Sequence, residues 1–331
     1  MRIIVDGFGG DNAPAEVIKG CKQAQDELGV QIVLTGDEAR LRETAKQENV
    51  DISGFEILHT PEVFDIHAQP TTILKEGKNT SLAVGLQALH DGKGDAFVSA
   101  GSTGGLVAGA TFITKRIKGV KRPALAPILP TAKGHMMLMD AGANVDCRPE
   151  MLVQFAIMGS AYMERVKGVK HPRVGLLNVG AEDTKGRELE QQAYKLLQDA
   201  PVNFVGNAEA RELPSGDFDV VVSDGFSGNI ALKLYEGMGS FFKGKLKSWF
   251  SGVGGKLAAV MILSKIKAFQ KSMDYKEEGG AVLMGISAPV IKAHGSSDAK
   301  AFFNAVRQAQ KCVDGNITAT IAQTVAEMKG E

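Results

Sequence analysis

Apolar and polar positions alternate in short blocks along nearly the whole chain. Ile3–Asp6, Ile32–Thr35, Glu56–His59, Asp95–Ser99, Met137–Asp140, Val174–Val179, Val202–Val205 and Asp219–Ser223 are brief, mostly apolar runs that read as strands. Between them Ala15–Leu28, Glu38–Glu48, Ser81–His90, Leu106–Lys115, Glu150–Arg165 and Arg187–Gln198 carry the i, i+3, i+4 spacing of helices. Strands apolar on both faces and separated by helices need crossover connections. The pattern therefore predicts an α/β fold with a parallel-rich sheet covered by helices on both faces. No Pro/Ser-rich linker or low-complexity tract divides the chain. One α/β catalytic domain over residues 1–331, with two lobes around a cleft, is expected.

Ligands in such sheets sit beyond the carboxyl ends of the strands, which directs attention to the loops there. "SAGSTGGLVAGA", from Ser99, follows an apolar run with four glycines and three hydroxyl side chains. It suits a tight strand-to-helix turn, and equally a cradle in which bare backbone and the first N–H groups of a helix approach an anion. "DAFVSAGSTGG" from Asp95 and "DVVVSDGFSGN" from Asp219 align without a gap, pairing Ser99 with Ser223, Gly101 with Gly225, Thr103 with Ser227 and Gly104 with Gly228. Two such turns are expected to wall one cleft.

Other loops repeat the style. "VDGFGGDNAP" holds Asp6, Gly9, Gly10 and Asp11; "DAGANVDCRPE" holds Asn144; "NVGAEDTKG" holds Asp183 and Lys185. "SDGFSGN" holds Asp224, Ser227, Gly228 and Asn229, and "KAHGSSDAK" holds Lys292, His294, Ser296 and Ser297. Any one of them reads as solvated turn residues. Together they read as a polar cleft that handles phosphate.

Composition narrows the partners. Lys plus Arg and Asp plus Glu are 38 each, so no overall field draws the chain to nucleic acid, and any electrostatic partner needs a local cluster. Cys21, Cys147 and Cys312 are odd in number and widely spaced, which argues against a disulfide framework and for a reducing, cytoplasmic setting. The histidines are scattered without metal spacing, and no metal or cofactor is expected. G-x-x-x-x-G-K-[ST], a G-x-G-x-x-G after the first strand and G-x-S-x-G are all absent, which sets aside a P-loop, a dinucleotide fingerprint and a hydrolase elbow.

The stretches GGDNAP, DAFVSAGSTG, KRPALAPILPT, DAGANVDCRPE, GLLNVGAEDTKG, VVVSDGFSGN and APVIKAHGSSDAK run in order along nearly the whole chain. With them the sequence resembles the bacterial phosphate acyltransferases, which form acyl-phosphate from acyl-acyl-carrier-protein and inorganic phosphate for phospholipid synthesis. The resemblance implies an isocitrate/isopropylmalate dehydrogenase-like fold, shared with phosphotransacetylase, and a homodimer. Gly7-Phe8 and Ser102 depart from the family's usual Ala-Met and Asn. The resemblance places the quoted loops in the cleft. Phosphate is itself a competent nucleophile, so the expected site positions two anionic partners and stabilises an oxyanion. Lys185 and His294 are the expected charged groups, oriented by Asp224 or Asp183. Asp6, Gly9, Gly10, Asp11, Ser99, Gly101, Thr103, Gly104, Asn144, Ser227, Gly228, Asn229, Ser296 and Ser297 are the expected substrate-binding set.

From Gly237 to Met273 there is no acidic residue, and seven lysines fall inside. Phe242, Leu246, Trp249 and Val253 share one helical face; Ile262, Ile266, Phe269 and Met273 form a second stripe after SGVGG. A projecting basic amphipathic helix pair at 237–273 is expected. It would pack on a partner copy, touch an anionic membrane reversibly, or receive the acidic acyl carrier protein on its basic surface, as Lys115, Arg116, Lys118, Lys121 and Arg122 also would. A phosphotransacetylase-like enzyme using acyl-coenzyme A, a decarboxylating dehydrogenase of the same fold and a non-catalytic membrane-associated carrier-protein binder are the alternatives.

Overall fold

In a computed structural model, residues 1–250 and 277–329 are described. The strands are β1 (Arg2–Asp6), β2 (Gln31–Gly36), β3 (Glu56–His59), β4 (Ala96–Ser99), β5 (Ala124–Thr131), β6 (Gly134–Met139), β7 (Arg173–Asn178), β8 (Asn203–Glu209), β9 (Val220–Val222), β10 (Ala281–Met284) and β11 (Val290–Lys292). Among the described residues they form one 11-stranded sheet in the order β3-β2-β1-β4-β11-β10-β5-β6-β9-β7-β8. β3, β2, β1, β4 and β11 are mutually parallel, and so are β6, β9, β7 and β8. Antiparallel β10 and β5 join the two parallel halves.

That junction was not legible as strand. β5 contains Pro127 and Pro130, which lack the N–H a ladder needs. It holds because Ala124–Pro127 pair with β10 and Ile128–Thr131 pair with β6. Each half is thus laddered on one side only, as an edge strand would be.

The helices are α1 (Ala15–Leu28), α2 (Glu38–Gln47), α3 (Ser81–His90), α4 (Thr103–Gly109), α5 (Pro149–Arg165), α6 (Glu188–Gln198), α7 (Gly225–Trp249), α8 (Ala299–Asp314) and α9 (Ile317–Lys329). Their ends follow local chemistry. Asp37 caps α2 by accepting from Arg40 N at 3.0 Å, and Gly29 closes α1 in the left-handed region. Helix α1 lies against α8 so closely that a Cβ on Gly20 would sit 2.5 Å from Phe302 Cβ. Three clusters form the core. The largest runs through both halves and includes Ile3, Val98, Phe155 and Phe302, and one smaller cluster serves each half, around Phe97 and Phe218. Burying each such aromatic contributes about 1.5–3 kcal/mol, which fixes the strand ends that carry the loops.

Two elements differ from expectation. The helix expected at Leu106 begins at Thr103, and Ala110–Thr114 form a π-helical turn behind it. Helix α7 starts inside the second Gly/Ser turn and runs unbroken to Trp249, so residues 237–249 are the far half of a helix rooted at the sheet. Its last buried residue is Leu232, while Phe241, Phe242 and Trp249 are exposed. The remainder of the expected pair, 251–273, lies outside the described residues. Among the described residues no helix is long and apolar enough to cross a membrane.

Candidate active site

The carboxyl end of β1 turns back on itself through Asp6. Its buried carboxylate accepts Ser99 Oγ–H at 2.8 Å and the Phe8 N–H at 3.2 Å, while Ser99 Oγ in turn accepts Gly101 N–H at 3.0 Å. Burial pushes the Asp6 carboxyl up from its ordinary value, and these hydrogen bonds oppose the shift. Glycine is required beside it: a Cβ on Gly9 would lie 2.8 Å from Gly101 N, and Gly10 has φ +106°. Asp11 N–H donates to Gly295 O at 2.8 Å, and Asn12 Nδ2 donates to Ser297 O at 3.2 Å. The loops after β1, β4 and β11 are thereby laced into one rim.

Helix α4 opens on this rim. Ser102, where the family usually has Asn, is its N-cap and accepts Gly105 N–H at 3.2 Å, while Leu106 N–H reaches Ser102 O. The N–H groups of Thr103 and Gly104, first and second in the helix, have no acceptor inside it. The second turn of the echo is built differently. Asp224 caps α7 by accepting Ser227 N–H at 2.6 Å, Gly225 N–H donates to Asn144 O at 2.7 Å, and Gly228 N–H to Asp224 O. Only Phe226 N–H is left in that first turn. The two turns share a sequence pattern, but the helix starts at Gly225 in one and two aligned positions later, at Thr103, in the other.

Lys292, the last residue of β11, stands at this rim although the site expected from the sequence does not include it. Its ammonium donates to Ala293 O and Ala100 O, and burial brings it down to about 8, partly opposed by Asp6 and Asp11. A lysine closing a three-residue apolar strand gives little signal of its own; its position becomes meaningful only once the rim is assembled. His294 is exposed. Its Nδ1 accepts Ser296 N–H at 3.2 Å and lies 2.9 Å from Ser296 Oγ, so the neutral ring carries its proton on Nε2. Partial burial of the ring, with Lys292 and Lys233 nearby, holds its pKa below the ordinary imidazole value, against Glu236 and Asp11.

Two cavities open here. One of about 440 Å³, the polar cavity, takes that name from its floor of Asp6, Gly9–Asp11 and Gly101–Thr103, under an apolar roof of Val63, Phe64 and Ile66. A mainly apolar one of about 470 Å³ lies over β5, between Leu125, Ile128 and Leu129 and the Phe226, Asn229 and Ile230 face of α7. Thr103 and Lys292 line both. His294 lines the apolar cavity.

Several expected residues are placed elsewhere or engaged in holding loops. Asp183 and Lys185 are exposed on the loop between β7 and α6 and line neither cavity. Asp224 orients neither Lys185 nor His294; its carboxylate pairs with Arg187, which also holds Glu190. Asn144 Nδ2 donates to Pro123 O at 2.7 Å and to Asp140 at 2.9 Å. Asp140, fully buried, accepts from the N–H groups of Leu125, Gly142, Ala143 and Asn144 and sets that loop's shape. Gly228 has α7 pressed on Asp140 O, where a Cβ would come within 1.9 Å. Ser297 Oγ donates to His294 O at 2.6 Å. Among the described residues no group of His, Cys, Asp and Glu could hold a metal ion.

Solved structures define the class. The fold matches EutD phosphotransacetylase from Staphylococcus aureus (TM-score 0.62, 19% identity, 98% of this chain and 94% of that one). It also matches 4-hydroxythreonine-4-phosphate dehydrogenase from Klebsiella pneumoniae (TM-score 0.55, 13% identity, 95% and 99%). This is an α/β protein of the fold shared by phosphotransacetylases and such dehydrogenases. Sequence gives the family. The family described as "fatty acid synthesis protein" matches residues 1–320. The chain is 46% identical over 330 residues to phosphate acyltransferase of Clostridium botulinum (99% of this chain, 98% of that one). Against phosphate acyltransferase of Oceanobacillus iheyensis it is 47% identical over 331 residues (98% and 97%). The chain belongs to this family of phosphate acyltransferases.

Proposed function

We propose that the protein moves an acyl group from an acyl-carrier-protein thioester to inorganic phosphate, releasing acyl-phosphate and the carrier thiol. One observation carries this reading: Thr103, which with Gly104 brings the N–H groups that α4 leaves without an acceptor inside it, and Lys292 are the two residues that line both cavities. Phosphate sits against those N–H groups and the Lys292 ammonium, where a helix N-terminus favours an anion. The acyl chain occupies the apolar cavity, and the thioester carbonyl lies between them.

A phosphate oxygen attacks the carbonyl carbon, and the Phe226 N–H and the His294 ring, both on the wall of the apolar cavity, face the developing oxyanion. Collapse of the tetrahedral intermediate breaks the C–S bond. The proton carried by monohydrogen phosphate ends on the departing sulfur, so no group on the protein changes its net protonation. No acyl-enzyme forms on this route. Asp6, Ser99, Asp140, Asn144 and Asp224 act at one remove, by holding the loops that aim these donors. The two sheet halves serve as the lobes of one catalytic domain. The exposed far half of α7, with Lys243, Lys245 and Lys247 beside Phe241, Phe242 and Trp249, serves reversible contact with an anionic membrane or a second copy. The acidic carrier docks on a basic surface.

Incubation with acyl-carrier-protein thioester, with and without phosphate, followed by hydroxylamine trapping tests the reading. Acyl hydroxamate that requires phosphate supports it. Activity with acyl-coenzyme A alone would make the protein a phosphotransacetylase-like enzyme, and carrier binding without turnover would make it a binding protein.

A further inference from the structure

The segment between β3 and the 3₁₀ turn Pro70–Leu74 covers the polar cavity with apolar side chains that lie open to solvent. Val63 and Ile66 line that cavity, yet they are 46% and 63% exposed. The segment is firmly held. Phe64 is buried beneath it, where a Cβ on Gly105 would lie 2.6 Å from the Phe64 ring. Glu62 bridges to Thr80, its carbonyl accepts Ser81 N–H at 2.9 Å, and Asp65 Oδ1 accepts His67 N–H at 2.9 Å. A fixed loop that presents Val63 and Ile66 over a polar rim is built to be covered by something partly apolar.

The two cavities say by what. The carbonyl carbon of a thioester bears a hydrocarbon on one side and a sulfur-linked arm on the other. With that carbon at Thr103 and Lys292, the residues common to both cavities, the two substituents leave in different directions. The cavity walled by Leu125, Ile128, Leu129 and Ile230 takes the hydrocarbon. The other offers backbone groups at Gly10 and Gly101 opposite Val63 and Ile66. That pairing fits an extended arm in which amides alternate with short methylene runs. We propose that Val63 and Ile66 form the recognition surface for the arm that links the reacting sulfur to its carrier. The proposal rests on the phosphate acyltransferase reading above.

The test compares one acyl group on two donors, the carrier-protein thioester and the N-acetylcysteamine thioester, which lacks most of the arm. The wild-type ratio of kcat/KM, carrier over truncated donor, is the readout. Val63→Ser with Ile66→Ser is expected to lower that ratio about tenfold, since the arm covers part of two aliphatic side chains. Ile66→Leu alone should hold the ratio near wild type. Equal losses with both donors, or no loss with either, would overturn the proposal. A wild-type protein giving no phosphate-dependent hydroxamate with either donor would remove the parent reading, and this one with it.

Discussion

Replacing Lys292 by methionine separates the function of this residue from its effect on stability. Burial holds its ammonium at about 8 against an ordinary 10.5, a gap that disfavours the folded, charged state by about 3 kcal/mol at neutral pH. Methionine has similar length and no charge. It loses the bonds to Ala293 O and Ala100 O, the latter a long one at 3.4 Å, at a cost of about 1–2 kcal/mol. Lys292→Met should therefore be more stable than wild type at pH 7, by roughly 1–2 kcal/mol. A lysine with a depressed folded pKa binds fewer protons folded than unfolded between about 8 and 10.5, so wild-type stability rises across that window. The variant's advantage should shrink there. Activity should move the other way. One charge-assisted contact to phosphate is worth about 1.5–3 kcal/mol, or roughly 10- to 100-fold in kcat/KM for phosphate. In the wild type this parameter should fall as pH rises past about 8, and the variant should lack that limb. Denaturant unfolding across pH, beside phosphate saturation curves, checks both halves. A variant with wild-type phosphate dependence, or one that is less stable at pH 7, would refute the reasoning.

Thr103→Pro removes one of the two free N–H groups while suiting the first helical position; Ser102 before it already has φ −53° and ψ 123°, which proline tolerates. The unfolding midpoint should hold and the KM for phosphate should rise about tenfold relative to Thr103→Ala, which keeps the N–H. Asp140→Asn puts an amide where the buried carboxylate meets N–H groups on both oxygens, so equilibrium unfolding should show a loss of about 2–4 kcal/mol. Because His294 keeps its Nε2–H whether neutral or protonated, His294→Gln should lower kcat by about tenfold at every pH without removing an acid limb, as a pH profile would show. Arg187→Gln leaves the buried Asp224 unpaired; hydrogen exchange should report fraying of the first turn of α7, with a fall in kcat.

The parallel halves were legible because periodicity and caps agree there. Ala15–Leu28, Glu56–His59 and Ser81–His90 have the bounds the pattern gives them, with Gly29 and Thr80 marking two of the ends. The antiparallel junction was not, because prolines in β5 and the brevity of β10 and β11 hide strands whose pairing is decided across the chain. At the site, the glycine and hydroxyl loops announced a crowded strand end. They did not announce which N–H groups stay free. Ser102 and Asp224 each take the third N–H of their helix, but Asn144 O also takes the Gly225 N–H, which leaves a pair of donors in α4 and one in α7. Lys185 looked like a site cation among glycines, yet its loop faces neither cavity, whereas Lys292 closes an apolar strand and reaches the rim through the fold.

The central claim is direct acyl transfer to phosphate at the α4 N-terminus, without an acylated protein. Radiolabelled inorganic phosphate is mixed with acyl-carrier-protein thioester and wild-type protein, and free thiol and labelled acyl-phosphate are counted in a single turnover. In parallel, mass spectrometry follows the protein with thioester and no phosphate. The account predicts label appearing in acyl-phosphate mole for mole with thiol, and an unmodified protein mass when phosphate is withheld. Thiol release without phosphate, accompanied by a protein heavier by one acyl group, would contradict it.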